Sequence, residues 1–226
     1  MSTIFTRLLQ LPLFQGLNNE DFSDIVEKAK IHFVKYASEE SFLERGEPCK
    51  GLLFVLQGQY AVTTHTADRR CTMTEVFEAP ALIEPQALLG MNLTYTSSYR
   101  AVTELSTIHL DKQFVIGTLF QYEICRMNFM NMVSNRAQQC HNRLWSTPQS
   151  GLEARLAHLF SRLCEQPFGR KQFKGRMTDL ALYLGASRLS VSRVLNRWHE
   201  DGMVELHRKG IVIPQLEKLH ERAMYS

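Results

Sequence analysis

Residues 187–200 restrict the possible folds more than any other part of the chain. Ser187-Arg188-Leu189-Ser190-Val191-Ser192-Arg193-Val194-Leu195-Asn196-Arg197-Trp198-His199-Glu200 contains no helix breaker, and it opens on a residue type that caps helix starts. At about 100° per residue, Val191, Val194, Leu195 and Trp198 gather in a sector roughly 100° wide. The opposite face carries Arg188, Leu189, Ser192, Arg193, Asn196 and Arg197, and no acid occurs between Asp179 and Glu200. A merely solvated face would mix Glu with Lys. Arginine can bond bidentately to guanine in the major groove, asparagine can read adenine, and an aliphatic group can pack on a thymine methyl.

The flanking residues extend the pattern. A second helix is predicted over about Thr178–Leu184, with Leu180, Ala181 and Leu184 as core and Gly185 in the turn before Ser187. Downstream, Val204–Leu206 and Ile211–Ile213 flank Lys209-Gly210 as a hairpin. Together they make a winged helix-turn-helix. Ahead of it, Leu152, Leu156, Leu159, Phe160 and Leu163 predict an amphipathic helix ending near Pro167, and the segment to Arg176 reads as a basic loop.

The net charge of +3 hides an asymmetry. Residues 151–226 hold 13 Lys/Arg against 8 Asp/Glu, hence +5, while the first 150 hold 13 against 15, hence −2. A basic smaller half is expected to meet a polyanion, provided its basic residues fall on one surface, while the larger half does something else. The boundary is expected at the turn Thr147-Pro148-Gln149-Ser150-Gly151, giving domains 1–147 and 148–226.

In the larger half, Asn18-Asn19-Glu20-Asp21 caps a short amphipathic helix bearing Phe22, Ile25, Val26 and Ala29. Short β-rich runs follow, Ile31–Tyr36, Leu52–Leu56, Tyr60–Thr64, Thr72–Phe77 and Arg100–Leu110, too closely spaced before Pro80 for crossover helices. They predict an antiparallel β-roll or barrel. Between about 114 and 144 the helical period returns, and Met130, Val133, Ala137, Cys140 and Leu144 step by 3, 4, 3 and 4, the seam of a coiled coil. This stripe predicts self-association, while Phe129 and Met132 beside it serve the roll.

At Asp179-Leu180-Ala181, Leu184 through Arg188, Val191 through Leu195 and Asp201-Gly202-Met203-Val204, the chain resembles the Crp/Fnr family, the catabolite-activator and fumarate-nitrate regulators. The resemblance spans essentially the whole chain. Leu13-Phe14-Gln15-Gly16-Leu17 is similar to the family's lead-in, Gly46 through Leu52 and Leu56-Gln57-Gly58 to its roll glycines, and the 114–144 helix to its dimerisation helix. It implies an α+β fold: an N-terminal cyclic-nucleotide-binding-like β-roll, a long dimerisation helix and a C-terminal winged helix-turn-helix. It also implies a homodimeric, cytoplasmic regulator that binds an inverted-repeat operator in double-stranded DNA, with RNA polymerase and a small-molecule effector as further partners.

The resemblance places an effector pocket at Ile83, Glu84, Tyr95 and Thr96, with Gln139 and Cys140 from the long helix. Cyclic-nucleotide-binding members carry Phe-Gly-Glu and a phosphate-binding arginine. Here the matching stretch is Leu82-Ile83-Glu84-Pro85, the expected arginine falls near Tyr95 or Thr96, and Arg100 is the closest one. Such a site lacks the charge-assisted bond a cyclic phosphate needs, so cyclic AMP is not the expected effector. A cyclic-nucleotide-gated activator is the alternative within the family.

Five cysteines without a Cys-x-x-Cys pair point to a reducing compartment and away from zinc or closely ligated iron–sulfur clusters. A haem with His109, His32 or methionine as axial ligand stays open, as does an intersubunit disulfide at Cys140. No cofactor or metal is expected. The longest apolar run, Leu52–Leu56, is far short of the about 20 residues that span a membrane, and the N-terminus lacks a cleavable leader pattern. Paired carboxylates, a nucleophile elbow and a phosphate loop are all missing, so no enzyme is predicted. A different class, a small-molecule-binding roll with a basic adaptor domain, differs in failing to bind DNA.

Overall fold

The structure is a computed structural model that describes residues 3–29, 31–147, 150–208 and 210–224. Its elements in chain order are α1 (Thr3–Leu9), α2 (Asn19–Lys28), β1 (His32–Tyr36), β2 (Ser41–Leu43), β3 (Gly51–Gln57), β4 (Gln59–His65), β5 (Thr72–Glu78), β6 (Ala81–Ile83), β7 (Ser98–Ala101) and β8 (Leu105–Asp111). There follow α3 (Lys112–Gly117), α4 (Glu123–Trp145), α5 (Leu152–Arg162), β9 (Lys171–Lys174), α6 (Met177–Leu184), α7 (Arg188–Glu200), β10 (Glu205–His207), β11 (Gly210–Ile213) and α8 (Leu216–Met224). Among the described residues, no helix is long and apolar enough to cross a membrane.

Two compact units result: Met1–Ala61 with Phe77–His141, and Val62–Val76 with Asn142–Ser226. The expected boundary near Thr147 falls five residues from Asn142, and the sequence did not assign the hairpin tip, 62–76, to the second unit; Pro148 and Gln149 lie outside the described residues.

In the first unit, an antiparallel sheet runs β1-β8-β3-β6, and β2 pairs with β7. The predicted run Arg100–Leu110 is two strands. Between them the Val102 and Thr103 N–H groups both donate to the Gln59 carbonyl, and the Thr103 hydroxyl accepts from the Gln59 N–H at 2.9 Å. This link wraps so closely on the β3–β4 turn that a Cβ at Gly58 (φ +98°) would lie 2.3 Å from the Glu104 carbonyl, so only glycine fits there. On the buried side, Phe14 packs against Phe22 and Phe54 at ring separations of 5.9 and 5.7 Å. Asn128 on α4 donates to the Leu13 and Gln15 carbonyls at 3.2 and 2.8 Å, tying the helix to the lead-in segment.

The expected continuous helix over 114–144 is interrupted. Gly117 and the β-branched Thr118 are weak helix formers, Thr118 leaves helical geometry (φ −120°, ψ −59°), and Leu119–Gln121 form a 3-10 turn that buries Leu119. Helix α4 then buries Cys125 and Phe129 and leaves Met130, Ala137, Cys140 and Leu144 exposed, with Val133 half-buried.

In the second unit, β10-β11-β9-β5 form an antiparallel sheet in which Met73 faces Phe173 and Val212 faces Gln172. The segment expected as a basic loop therefore contains a strand. Its Lys171 and Phe173 are buried while Gln172 and Lys174 are exposed, so its lysines disguise a period of two. Trp198, Phe160, Phe173, Leu180 and Leu195 form the core together with Cys71 and Met73 from the hairpin tip. Glu75 anchors the join: at 2% exposure it accepts from Lys171 Nζ at 2.9 Å and from the Glu165 and Gln166 N–H groups at 2.6 and 3.0 Å.

Candidate nucleic-acid interface

Helix α7 starts where the sequence predicts. Ser187 has extended backbone (φ −73°, ψ 147°) and its Oγ accepts from the Ser190 N–H at 3.0 Å, so the hydroxyl expected to cap or to meet a phosphate is engaged as the cap. The turn before it depends on Gly185 at φ +56°, the left-handed conformation that closes α6, with the Ala186 N–H donating to the Ala181 carbonyl at 3.0 Å. Arg155 Nη1 donates to the Leu184 carbonyl at 2.8 Å, satisfying another acceptor at that helix end.

Val191, Val194, Leu195 and Trp198 are buried, as their shared sector predicts, and this fixes the rotation of the helix. Arg188, Leu189, Arg193, Asn196 and Arg197 are in consequence exposed, Leu189 to 61%, and Ser192 is half-buried. Arg197 forms a close ion pair with Glu153, a partner that sequence reasoning missed because 44 residues separate them. Among the described residues, no carboxylate pairs with Arg188 or Arg193. Their charge thus remains available to a polyanion. The helix before the turn is braced by the hairpin tip: Tyr183 donates to Asp68 at 2.8 Å, and Arg70 stands 3.6 Å from Asp179. The Thr66 hydroxyl, with the Arg70 N–H and the Tyr183 hydroxyl, holds the Asp68 carboxyl below the usual carboxylate range.

The expected effector residues separate into two groups. Ile83, Glu84 and Tyr95 are buried, and Glu84 is joined to Thr96 by bonds from its N–H at 2.8 Å and its hydroxyl at 2.9 Å. Gln139 and Cys140 are exposed on α4, and no hydrogen bond among the described residues links them to Glu84. Sequence reasoning missed Ser97 and Tyr99, which also donate to Glu84; alternation along the Ser97–Tyr99 run was the available signal. The guanidinium of Arg100 pairs instead with Glu39. Burial, with Cys49 alongside, pushes the Tyr95 phenol above its ordinary range.

His32 and His109 face each other across β1 and β8, and both approach Asp111, at 3.9 and 3.7 Å. Among the described residues, no group of three or more His, Cys, Asp or Glu side chains could hold a metal ion.

A β-roll joined through a long helix to a winged helix-turn-helix with an exposed basic face defines a class of DNA-binding regulator. Comparison with known proteins agrees. Residues 33–122 match the cyclic nucleotide-binding domain and residues 154–222 the Crp-like helix-turn-helix domain, together more than half of the chain. Electron transport regulator A of Shewanella oneidensis is 25% identical over 225 residues, covering 94% of this chain and 85% of that protein. The CRP-like cAMP-activated global transcriptional regulator of Mycobacterium tuberculosis is 19% identical, covering 96% and 98%. Among solved structures, a Crp/Fnr-family transcriptional regulator from Eubacterium rectale has a TM-score of 0.53 at 16% identity, covering 95% of this chain and 98% of its own. The Thermus thermophilus catabolite activator protein has a TM-score of 0.50 at 20% identity with the same coverage. The chain belongs to the Crp/Fnr family of transcriptional regulators.

Proposed function

We propose that this regulator acts in the cytoplasm as a homodimer. Its two α7 helices read an inverted-repeat operator, its further partner is RNA polymerase, and its roll does not take cyclic AMP. The observation that carries the reading is the acid-free face of α7, exposed while the opposite face is locked into the core. Arg188 and Arg193 are assigned to base edges, Leu189 and Ser192 to close contacts beside them, and Asn196 and Arg197 to phosphates or neighbouring bases; Ser187 sets the helix start that presents them. Met130, Val133, Ala137, Cys140 and Leu144 are assigned to the subunit seam. In support, Met130 is 54% exposed within one chain although it lies in an apolar helical repeat.

A symmetric dimer of this class presents its reading helices to successive major grooves, about 34 Å apart, so the half-sites should lie one helical turn apart. Selection of bound sites from random DNA tests this. Enrichment of an inverted repeat with that spacing is expected; direct repeats, or no enrichment, would refute it.

A further inference from the structure

Glu84 is 3% exposed, and its carboxylate is enclosed by neutral donors rather than by cations. Oε2 accepts from the Thr96 N–H at 2.8 Å and the Thr96 hydroxyl at 2.9 Å. Oε1 accepts from the Ser97 N–H at 3.0 Å and the Tyr99 hydroxyl at 2.8 Å. Successive backbone N–H groups aimed at one anion form a nest, a recurrent anion-binding geometry. These four donors come from one short segment, Thr96–Tyr99, while the anion is delivered from twelve or more residues upstream; the neighbouring Gln86 amide adds a longer fifth bond to Oε2 at 3.5 Å. Its backbone is left-handed (φ +34°, ψ +60°), a conformation that favours glycine. A glutamate is held in that conformation by what its side chain binds.

No Lys or Arg bonds to Glu84 among the described residues, and Arg100, the nearest arginine in sequence, is engaged by Glu39. Neutral donors suit a monoanion with two oxygens, a carboxylate or a phosphodiester; a dianion would call for a cation. The geometry points to an oxyanion site at Thr96–Ser97 that the chain fills with its own Glu84 carboxylate, so that the roll is held in a ligand-filled form without a diffusible effector. The inference rests on reading the roll as the sensor of a DNA-binding regulator.

The test uses the full chain. Wild-type protein stripped of small molecules by unfolding, dialysis and refolding should keep its operator affinity and give no saturable heat with cyclic AMP or inorganic phosphate. Glu84→Ala empties the nest and should lose about tenfold in operator affinity, a usual size for coupling between sites. Sodium formate, but not chloride at equal ionic strength, should restore that affinity and raise the variant's Tm. Glu84→Gln, whose bulk keeps formate out, should not respond. Stripped wild type that needs a low-mass cell fraction to recover, saturable heat on wild type, or a folded Glu84→Ala that treats formate and chloride alike would each overturn the inference. If Glu84→Ala fails to fold, Glu84→Gly, which relieves the positive φ, replaces it; if both fail, the wild-type measurements decide. The Tm response to formate needs no DNA, so it separates this inference from the operator reading.

Discussion

Replacing Lys171 by methionine should strand the Glu75 carboxylate in the core of the second unit. Lys171 is 1% exposed and Glu75 2%, and their 2.9 Å contact is the ion pair holding β9 to β5. Removing one member of a buried pair costs about 3 to 5 kcal/mol, because the remaining charge is desolvated without a counterion. Here Glu75 keeps the Glu165 and Gln166 N–H donors, which places the loss near the lower end, about 3 kcal/mol. Both tryptophans, Trp145 and Trp198, belong to the second unit, so tryptophan emission during urea unfolding reports on that unit alone. With a urea slope of about 2 kcal/mol/M, the midpoint should fall by about 1.5 M. Adding Glu75→Gln removes the stranded charge while its amide oxygen can still accept an N–H bond, so the double variant should recover more than half of the loss. A Lys171→Met midpoint within about 0.3 M of wild type, or losses in the two single variants that simply add, would refute this account of the join.

Four further outcomes are expected. Val133→Glu with Ala137→Glu should place like charges across the proposed seam and give monomers with weakened operator binding; an unchanged dimer mass in sedimentation would count against the seam. Arg193→Ala should cost about 1 to 3 kcal/mol of operator affinity and relax one base pair, read by repeating the site selection, whereas removing a phosphate contact should weaken all sequences and lower the salt slope by about one. Leu189→Glu adds an acceptor that can bond cytosine N4, so the selected half-site should shift towards cytosine at one position; an unchanged consensus would remove Leu189 from the proposed base-reading face. Cys71, Cys125 and Cys164 are buried, and burial pushes their thiols up to about 11, 12 and 12, so iodoacetamide at pH 8 should consume Cys140 first, and faster in the doubly substituted seam variant if the seam covers it.

How far the sequence could be read follows from where each element takes its instructions. Helix α7 was legible to within a residue, because Ser187, the apolar sector and Gly185 are local signals and all agree. The α2 start was equally readable, since Asn18 accepts from the Asp21 N–H at 2.7 Å within a single turn. Strand β9 was not, because Lys171 is buried only through a carboxylate 96 positions away, and a lysine at a core position breaks the pattern by which strands are recognised. The interruption at Thr118 was hidden for the opposite reason: Phe114, Val115 and Leu119 keep a helical period while a weak former lets the backbone leave the helix. Glu84 was readable as a site residue, but its partners were not. Ser97 and Tyr99 meet it only after β6 and β7 have folded, and its backbone conformation leaves no mark in composition or period.

The two buried glutamates also differ in what their environments require of them. Glu75 balances a lysine that is itself buried, so neither charge can leave without stranding the other, and its identity is a condition of the fold. Glu84 balances no cation. Its donors are two backbone N–H groups, two hydroxyls and, at longer range, the Gln86 amide, all neutral groups that another anion of similar shape would satisfy, and the residue bears a left-handed backbone that only glycine adopts without strain. A carboxylate paired with a buried cation is thus a structural part, whereas a carboxylate held by neutral donors alone occupies a place that a ligand could fill. That difference is why the loss of Glu75's partner is expected to appear as unfolding of the second unit, and the loss of Glu84 as a change in operator affinity that a small anion reverses.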